Sequence, residues 1–137
     1  AVGNGEMIDA LMVIKSNLDS GVPQAIQHMA IEGMTRPLNS VDDRNAIYQA
    51  RRDRIIPVLR EMGMKVEPPK ASLYIWAGVP DGYTSAGFAE KLLENTDVLM
   101  IPGGNYGEAG EGYVRLSITL ADALVDEALD RIKGWRP

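Results

Sequence analysis

Cysteine is absent from the 137 residues, and histidine and phenylalanine occur once each. Without a thiol there is neither a disulfide framework nor a cysteine-ligated metal centre, and the composition fits a cytosolic, cytoplasmic protein. His28 has no second imidazole with which to share a metal. It is also the only imidazole available to activate a serine, and its helical setting makes it a surface or interface residue. Long hydrophobic runs are missing too. Leu11-Met12-Val13-Ile14 and Val98-Leu99-Met100-Ile101 are far too short to span a membrane. A net charge of −5 runs against a general nucleic-acid binder. The chain opens at Ala1-Val2-Gly3-Asn4 without an initiator Met or signal peptide, and reads as beginning inside a larger polypeptide.

What charge there is falls unevenly. Residues 1–35 hold one lysine against four acids, residues 36–70 eight bases against five acids, and residues 71–137 five bases against ten acids. In the basic stretch Arg51, Arg52 and Arg54 suggest a phosphate patch. On a helix, however, these positions spread round most of the circumference, and Asp53 lies among them. A solvated helix with local ion pairs is the expected arrangement.

Periodicity divides the chain in two. Asn4 is placed to cap a helix over residues 5–18, striped by Met7, Leu11, Ile14 and Leu18, and Asp19-Ser20-Gly21 breaks it. Pro23 suits the first turn of a second helix striped by Ile26, Met29, Ala30 and Met34. These methionine-rich stripes read as packing surface. Thr35 to Ser40 is the most linker-like stretch. A long helix from about Asp42 to Met62 turns Tyr48, Ile55, Leu59 and Met62 inward, and Pro57 is expected to kink or split it. Beyond Gly63 the period becomes two: Lys65-Val66-Glu67, Ser72 to Trp76, Val98 to Ile101 and Tyr113 to Leu120 read as strands. Ser85 is the expected cap of a helix bearing Phe88, Ala89 and Leu92. Thr119-Leu120-Ala121-Asp122 resembles a capping box for a last helix. The second half is therefore an α+β layer, a small sheet with helices against it.

The strand Tyr113 to Leu120 carries the chemistry. Alternation puts Val114, Leu116, Ile118 and Leu120 on one face and Tyr113, Arg115, Ser117 and Thr119 on the other. A guanidinium at mid-strand on a polar face suits bidentate binding of a carboxylate, and equally suits a surface ion pair. Upstream, five of the 14 glycines fall in residues 103–112. Their spacing is not that of a dinucleotide loop, and they lead into a strand rather than a helix start, so a tight connection delivering Arg115 to a cleft is expected. Tyr74 and Trp76 share a strand face with Ser72 and read as pocket lining or packing.

Taken in order, these segments are recognisable. Ala1-Val2-Gly3-Asn4 is followed by Lys15-Ser16-Asn17-Leu18-Asp19-Ser20-Gly21 with Gln24 and Gln27. Then come Pro69-Lys70-Ala71-Ser72-Leu73-Tyr74-Ile75-Trp76 and Pro102-Gly103 through Gly107 and Gly110 to Tyr113-Val114-Arg115-Leu116-Ser117. The ordered set resembles the C-terminal portion of a class I/II, fold type I, pyridoxal-phosphate-dependent aminotransferase. Within that family it is most similar to the diaminopimelate, aspartate and alanine aminotransferase branch. Tyr106 stands where the family usually has Phe.

The resemblance implies an α+β fold of the α/β family in three parts. Residues 1–40 would end the large cofactor domain with interface-forming helices, residues 41–62 would be a bridging helix, and residues 63–137 would be the small domain. Arg115 would pair with the substrate α-carboxylate. Asn17 would reach across a homodimer towards the neighbouring site, touching substrate or cofactor, while Lys15 and Tyr74 would line the cleft. The cofactor implied for the parent is pyridoxal 5′-phosphate, with amino acids and 2-oxo acids as substrates. In the family pattern its anchoring lysine, the carboxylate facing its pyridine nitrogen and its phosphate cup lie upstream of residue 1. None of Lys15, Lys65, Lys70, Lys91 and Lys133 stands in the family's serine-rich lysine context. The fragment is accordingly expected to bind no cofactor and to be inactive alone. The apolar surface of residues 1–40 is expected to self-associate, swap or disorder, while residues 63–137 fold well alone. Two other readings stay open: a non-enzymatic module binding amino-acid carboxylates through Arg115, and a structural or oligomerisation domain in which Arg115 is internally paired. The amino donor is not fixed by these residues.

Overall fold

Asn4 opens the first helix by accepting the Met7 amide on its side-chain oxygen at 3.2 Å, which satisfies one of the amides that a helix start leaves unpaired. Helix α1 runs Gly5–Leu18. Past its end the Asp19 carboxylate accepts the Gly21 amide at 2.7 Å, and Gly21 takes a φ of +94° that glycine tolerates. Pro23 occupies the N-cap of α2, Gln24–Thr35, one position before the first turn where it was expected. The structure, a computed structural model, describes residues 1–36 and 39–137. Pro37 and Leu38, the centre of the expected linker, lie outside the described residues. The chain divides into two compact units, Ala1–Asn39 and Ser40–Pro137. In the first, neither helix buries a residue. Met7, Leu11, Ile14, Leu18, Ile26, Met29 and Met34 are exposed, and so is His28.

Helix α3, Asn39–Glu61, leads into the second unit with Pro57 inside it. Of the two expected outcomes, a kink or a split, the split does not occur. Proline removes one helix hydrogen bond and crowds the preceding turn at a cost of about 3 kcal/mol. Its neighbours Ile55, Ile56, Val58 and Leu59 are all buried, and burial of side chains this size stabilises by roughly 1.5–3 kcal/mol each. The tertiary gain exceeds the local penalty.

Four antiparallel strands follow: β1 Lys65–Val66, β2 Tyr74–Gly78, β3 Ile101–Pro102 and β4 Tyr113–Ser117, in the order β1-β2-β4-β3. Alternation turns Ile75, Ala77 and Val114 inward. There they join Phe88 and Leu92 of α4, Ser85–Thr96, Val125 and Leu129 of α5, Asp122–Lys133, and Leu59 of α3 in one core. The opposite face of the sheet presents Tyr74, Trp76 and Tyr113 to solvent. The α+β layer read from the sequence is the architecture observed.

Boundaries depart from the sequence reading where side chains compete for backbone amides. Strand β4 ends at Ser117 instead of Leu120, because the Ser117 hydroxyl accepts the Thr119 amide and lies 2.8 Å from the Thr119 hydroxyl. Thr119 is thereby engaged and the capping box does not form; Ala121 stands at the N-cap of the last helix, which has no side-chain cap. Strand β2 begins at Tyr74, since Ser72 sits at φ +89° with its Oγ accepting the Tyr74 amide at 3.1 Å. Ser72 therefore does not share the Tyr74–Trp76 face. The strand expected over Val98–Ile101 shrinks to Ile101–Pro102, as Asp97 turns left-handed and the Thr96 hydroxyl accepts the Val98 amide. Thr84, one residue before the expected Ser85, caps α4 through the Gly87 amide at 3.1 Å. The arginines of α3 are also not paired only locally. Arg51 reaches Asp122 at 2.7 Å and Arg54 reaches Asp122 and Asp126, tying α3 to the start of α5; only Arg52 pairs with its neighbour Asp53.

Candidate functional site

Arg115 occupies the middle of β4, in register with Trp76 on β2 and Ile101 on β3. Three antiparallel strands therefore fix its backbone. Its guanidinium carbon lies 4.1 Å from the centre of the Tyr74 ring and 4.8 Å from that of Tyr106. Tyr106 is held in turn by the edge of Trp76, with centroids 5.9 Å apart, and Trp76 stacks on Tyr113 at 5.6 Å. A cation is attracted to the negative face of an aromatic ring, so the rings position the head group without spending its N–H donors. Among the described residues no carboxylate pairs with Arg115, whereas Arg51, Arg52, Arg54 and Arg131 each have an acidic partner. The internal ion pair that a purely structural role would require is thus not made there. The described surroundings of Arg115 are the aromatic face of the sheet.

The glycine-rich segment delivers this arginine. It folds as two single-turn 3₁₀ helices, Gly103–Tyr106 and Glu108–Gly110. Gly103 and Gly110 bring their main chains so close that a Cβ on either would collide with the other's backbone. Ser85 fastens the segment to α4: its buried hydroxyl accepts the amides of Gly112 at 2.8 Å and Tyr113 at 3.1 Å and donates to the Gly110 carbonyl. Glu111 reciprocates by accepting the Ser85 amide at 2.8 Å. Ser85 and Glu111 are the positioning residues that sequence reading missed. The available signal was the pair Thr84-Ser85, two capping residues at a helix start that needs one.

Tyr74 is the candidate that the fold brings to Arg115. Lys15 and Asn17 belong to α1 in the other unit, where each is engaged locally. Lys15 pairs with Asp19 at 2.7 Å, and the Asn17 amide donates to the Val13 carbonyl at 2.7 Å. The hydrogen bond from Lys15, helped by the Gly21 amide, holds the Asp19 carboxyl below its ordinary range.

The glycine-rich segment does not form a cradle for the phosphate of the cofactor that the resemblance implies. A phosphate cradle needs free amides converging on the anion. Here the amides of Gly107, Gly110, Glu111 and Gly112 already donate within the segment or to Ser85. Lys15, Lys65 and Lys133 are paired with acids and Lys91 lies over the Tyr83 ring, which leaves Lys70, outside that segment, without an acid partner among the described residues. What the described residues bring together is an arginine without an acid partner, held on an aromatic support.

Comparison with known proteins finds relatives along nearly the whole chain. The LL-diaminopimelate aminotransferase of Dehalococcoides mccartyi is 54% identical over 136 residues, covering 99% of this chain and 35% of that protein. An aminotransferase from Staphylococcus aureus superposes with a TM-score of 0.84 at 32% identity, over 97% of this chain and 35% of its own. A probable N-succinyldiaminopimelate aminotransferase from Thermus thermophilus gives 0.85 at 26% identity, over 97% and 36%. The chain thus spans about a third of the length of these relatives. The profile of aminotransferase class I and II matches residues 1–132, and the chain belongs to that family.

Proposed function

We propose that this chain is the C-terminal, substrate-carboxylate-binding part of a pyridoxal-phosphate-dependent aminotransferase. The enzyme would move an amino group from a diaminopimelate, aspartate or alanine type donor to a 2-oxo acid. The single observation that carries the reading is Arg115, fixed at mid-sheet between two tyrosine rings with no acid partner among the described residues. Its free donors match the two oxygens of an α-carboxylate, and a planar fork provides orientation as well as charge. Held by its carboxylate, the amino acid presents its Cα–H bond in one direction, which is what proton abstraction requires. The cofactor supplies the electron sink and carries the amino group. The same contact gives the small domain a reason to close over substrate and exclude water.

Membership of the family supports a parent enzyme of this class, and the similarity to LL-diaminopimelate aminotransferases supports that donor among the three. Within the same proposal, residues 1–40 end the large domain, 41–62 bridge and 63–137 form the small domain of a cytoplasmic homodimer. Asn17 then acts at the neighbouring subunit's site, and Lys15 lines the cleft. The chain alone binds no cofactor and does not transaminate, because it lacks a lysine in the family's cofactor-anchoring context.

The test is Arg115→Ala and Arg115→Lys in the complete enzyme. Losing a bidentate charged contact costs about 2–4 kcal/mol, roughly 30- to 1000-fold in kcat/KM, with lysine recovering only part because it has no fork. Near-wild-type kcat/KM in Arg115→Ala would overturn the assignment.

A further inference from the structure

The basic stretch noted in the sequence resolves into two populations. Arg51 and Arg54 are neutralised by Asp122 and Asp126 of α5, and Arg60 is turned to the Val66 carbonyl. Arg44, Arg52 and Lys70 instead line one groove of about 640 Å³ between α3 and the 69–73 segment. No aspartate or glutamate lines it. In a chain with more acids than bases, a groove without an acid is a selected environment for negative charge.

The groove has a built wall. Arg44, Tyr48 and Arg52 are spaced four apart on α3 and so share one face of the helix. Arg52 is pinned by its bonds to Asp53 at 2.8 Å and to the Pro69 carbonyl at 3.0 Å. Asp53 offsets the charge of Arg52, which leaves the charges of Arg44 and Lys70 without an acidic partner among the described residues. Across from Arg44, on the same turn as Lys70, Ser72 is held at φ +89°, a conformation that costs a non-glycine residue of order 1–3 kcal/mol and recurs at ligand sites. Its Oγ accepts the Tyr74 amide, which leaves the hydroxyl proton free to donate. The amides of Lys70, Ala71 and Ser72 donate no backbone hydrogen bond among the described residues.

We propose that this groove binds a small doubly charged oxyanion, held by Arg44 and Lys70 and by the donors of the Lys70–Ser72 turn. The site is separate from Arg115 and does not depend on the aminotransferase reading. Phosphate and carboxylate ligands share the required chemistry, a compact anion with several acceptor oxygens.

The experiment titrates the 15N-labelled 137-residue chain with pyrophosphate and, separately, with succinate at constant ionic strength. Saturable shifts confined to Arg44, Lys70, Ala71 and Ser72 are expected with at least one anion, and the tighter of the two identifies the ligand class. Arg44→Gln with Lys70→Gln should weaken that binding by about ten-fold or more, while Arg136→Gln, outside the groove, should leave it unchanged. Shifts that do not saturate, or that fall on basic residues throughout the chain, overturn the proposal. So does an Arg44→Gln, Lys70→Gln variant that keeps its fold and titrates like the wild type.

Discussion

The guanidinium of Arg115 lies over the ring of Tyr74 at 4.1 Å, on neighbouring strands whose register is fixed by β2–β4 pairing. The ring supports the cation from below and leaves its hydrogen-bonding edge to a ligand. Replacing Tyr74 by Leu in the complete enzyme keeps apolar bulk and removes the negative ring face. Such contacts are worth about 0.5–2 kcal/mol, so kcat/KM should fall roughly 2- to 30-fold. Tyr74→Phe should stay near wild type. A Leu variant as active as the Phe variant would mean that the ring does not position Arg115.

Ser85 makes a second, structural prediction. Its hydroxyl is the acceptor for two amides of the glycine-rich segment. Ser85→Ala strands both in a part-buried setting, at about 1–3 kcal/mol for each. Urea denaturation should show a loss of about 2–4 kcal/mol, and Ser85→Thr should recover part of it. Loss of the latch should also loosen Tyr106, so the ring-current shifts of the Arg115 side chain should diminish in the Ala variant.

Asp122 links stability to pH. The hydrogen bond from Arg51 is the largest influence on its carboxyl; burial opposes it, and the charges of Arg51 and Arg54 add to it, so the group is held below the ordinary value of 3.8. A depressed carboxylate stabilises the fold above its unfolded value and loses that contribution as pH falls through the folded one. Asp122→Asn should therefore lower the denaturation midpoint at pH 7. The gap from wild type should close progressively as pH falls from 3.8 through the lowered folded value, below which both forms carry a neutral group. A gap that stays constant from pH 7 to pH 2 would contradict the linkage.

The exposed methionine and leucine stripes of α1 and α2 predict association. Sedimentation of the 137-residue chain should be concentration-dependent. Replacing Leu11, Ile14 and Ile26 with polar residues should shift it towards the monomer. A chain of residues 40–137 should sediment as a monomer and keep the sheet. Identical sedimentation of all three would remove the stripes as the cause.

How far the sequence could be read depended on whether an interaction was local. Strand alternation placed Arg115 and Tyr113 on the polar face of β4 and Val114 inside, because side-chain direction follows from a period of two. Asn4 declared itself as a cap because the amide it satisfies lies three residues away. Competing caps were harder: at Thr84-Ser85 and Ser117–Thr119 two hydroxyls sit near the same amides, and only the fold decides between them. The pairing of Arg51 with Asp122 joins residues 71 positions apart, and no helical wheel contains it. Pro57 does not split α3, because the burial on either side of it offsets a local penalty that propensity alone registers. The contact of Tyr106 with Arg115 depends on the path of two 3₁₀ turns, which glycine content announces but does not trace.

Both outer strands of the sheet are only two residues long, and β3 ends in Pro102, which has no amide to offer. Short and proline-terminated edges deny an incoming chain the row of unpaired main-chain groups on which strand addition depends. The borders of this unit therefore work against fibrillar stacking. Whatever it docks against must be met through side chains, by the aromatic face around Arg115 or by the basic groove beside α3.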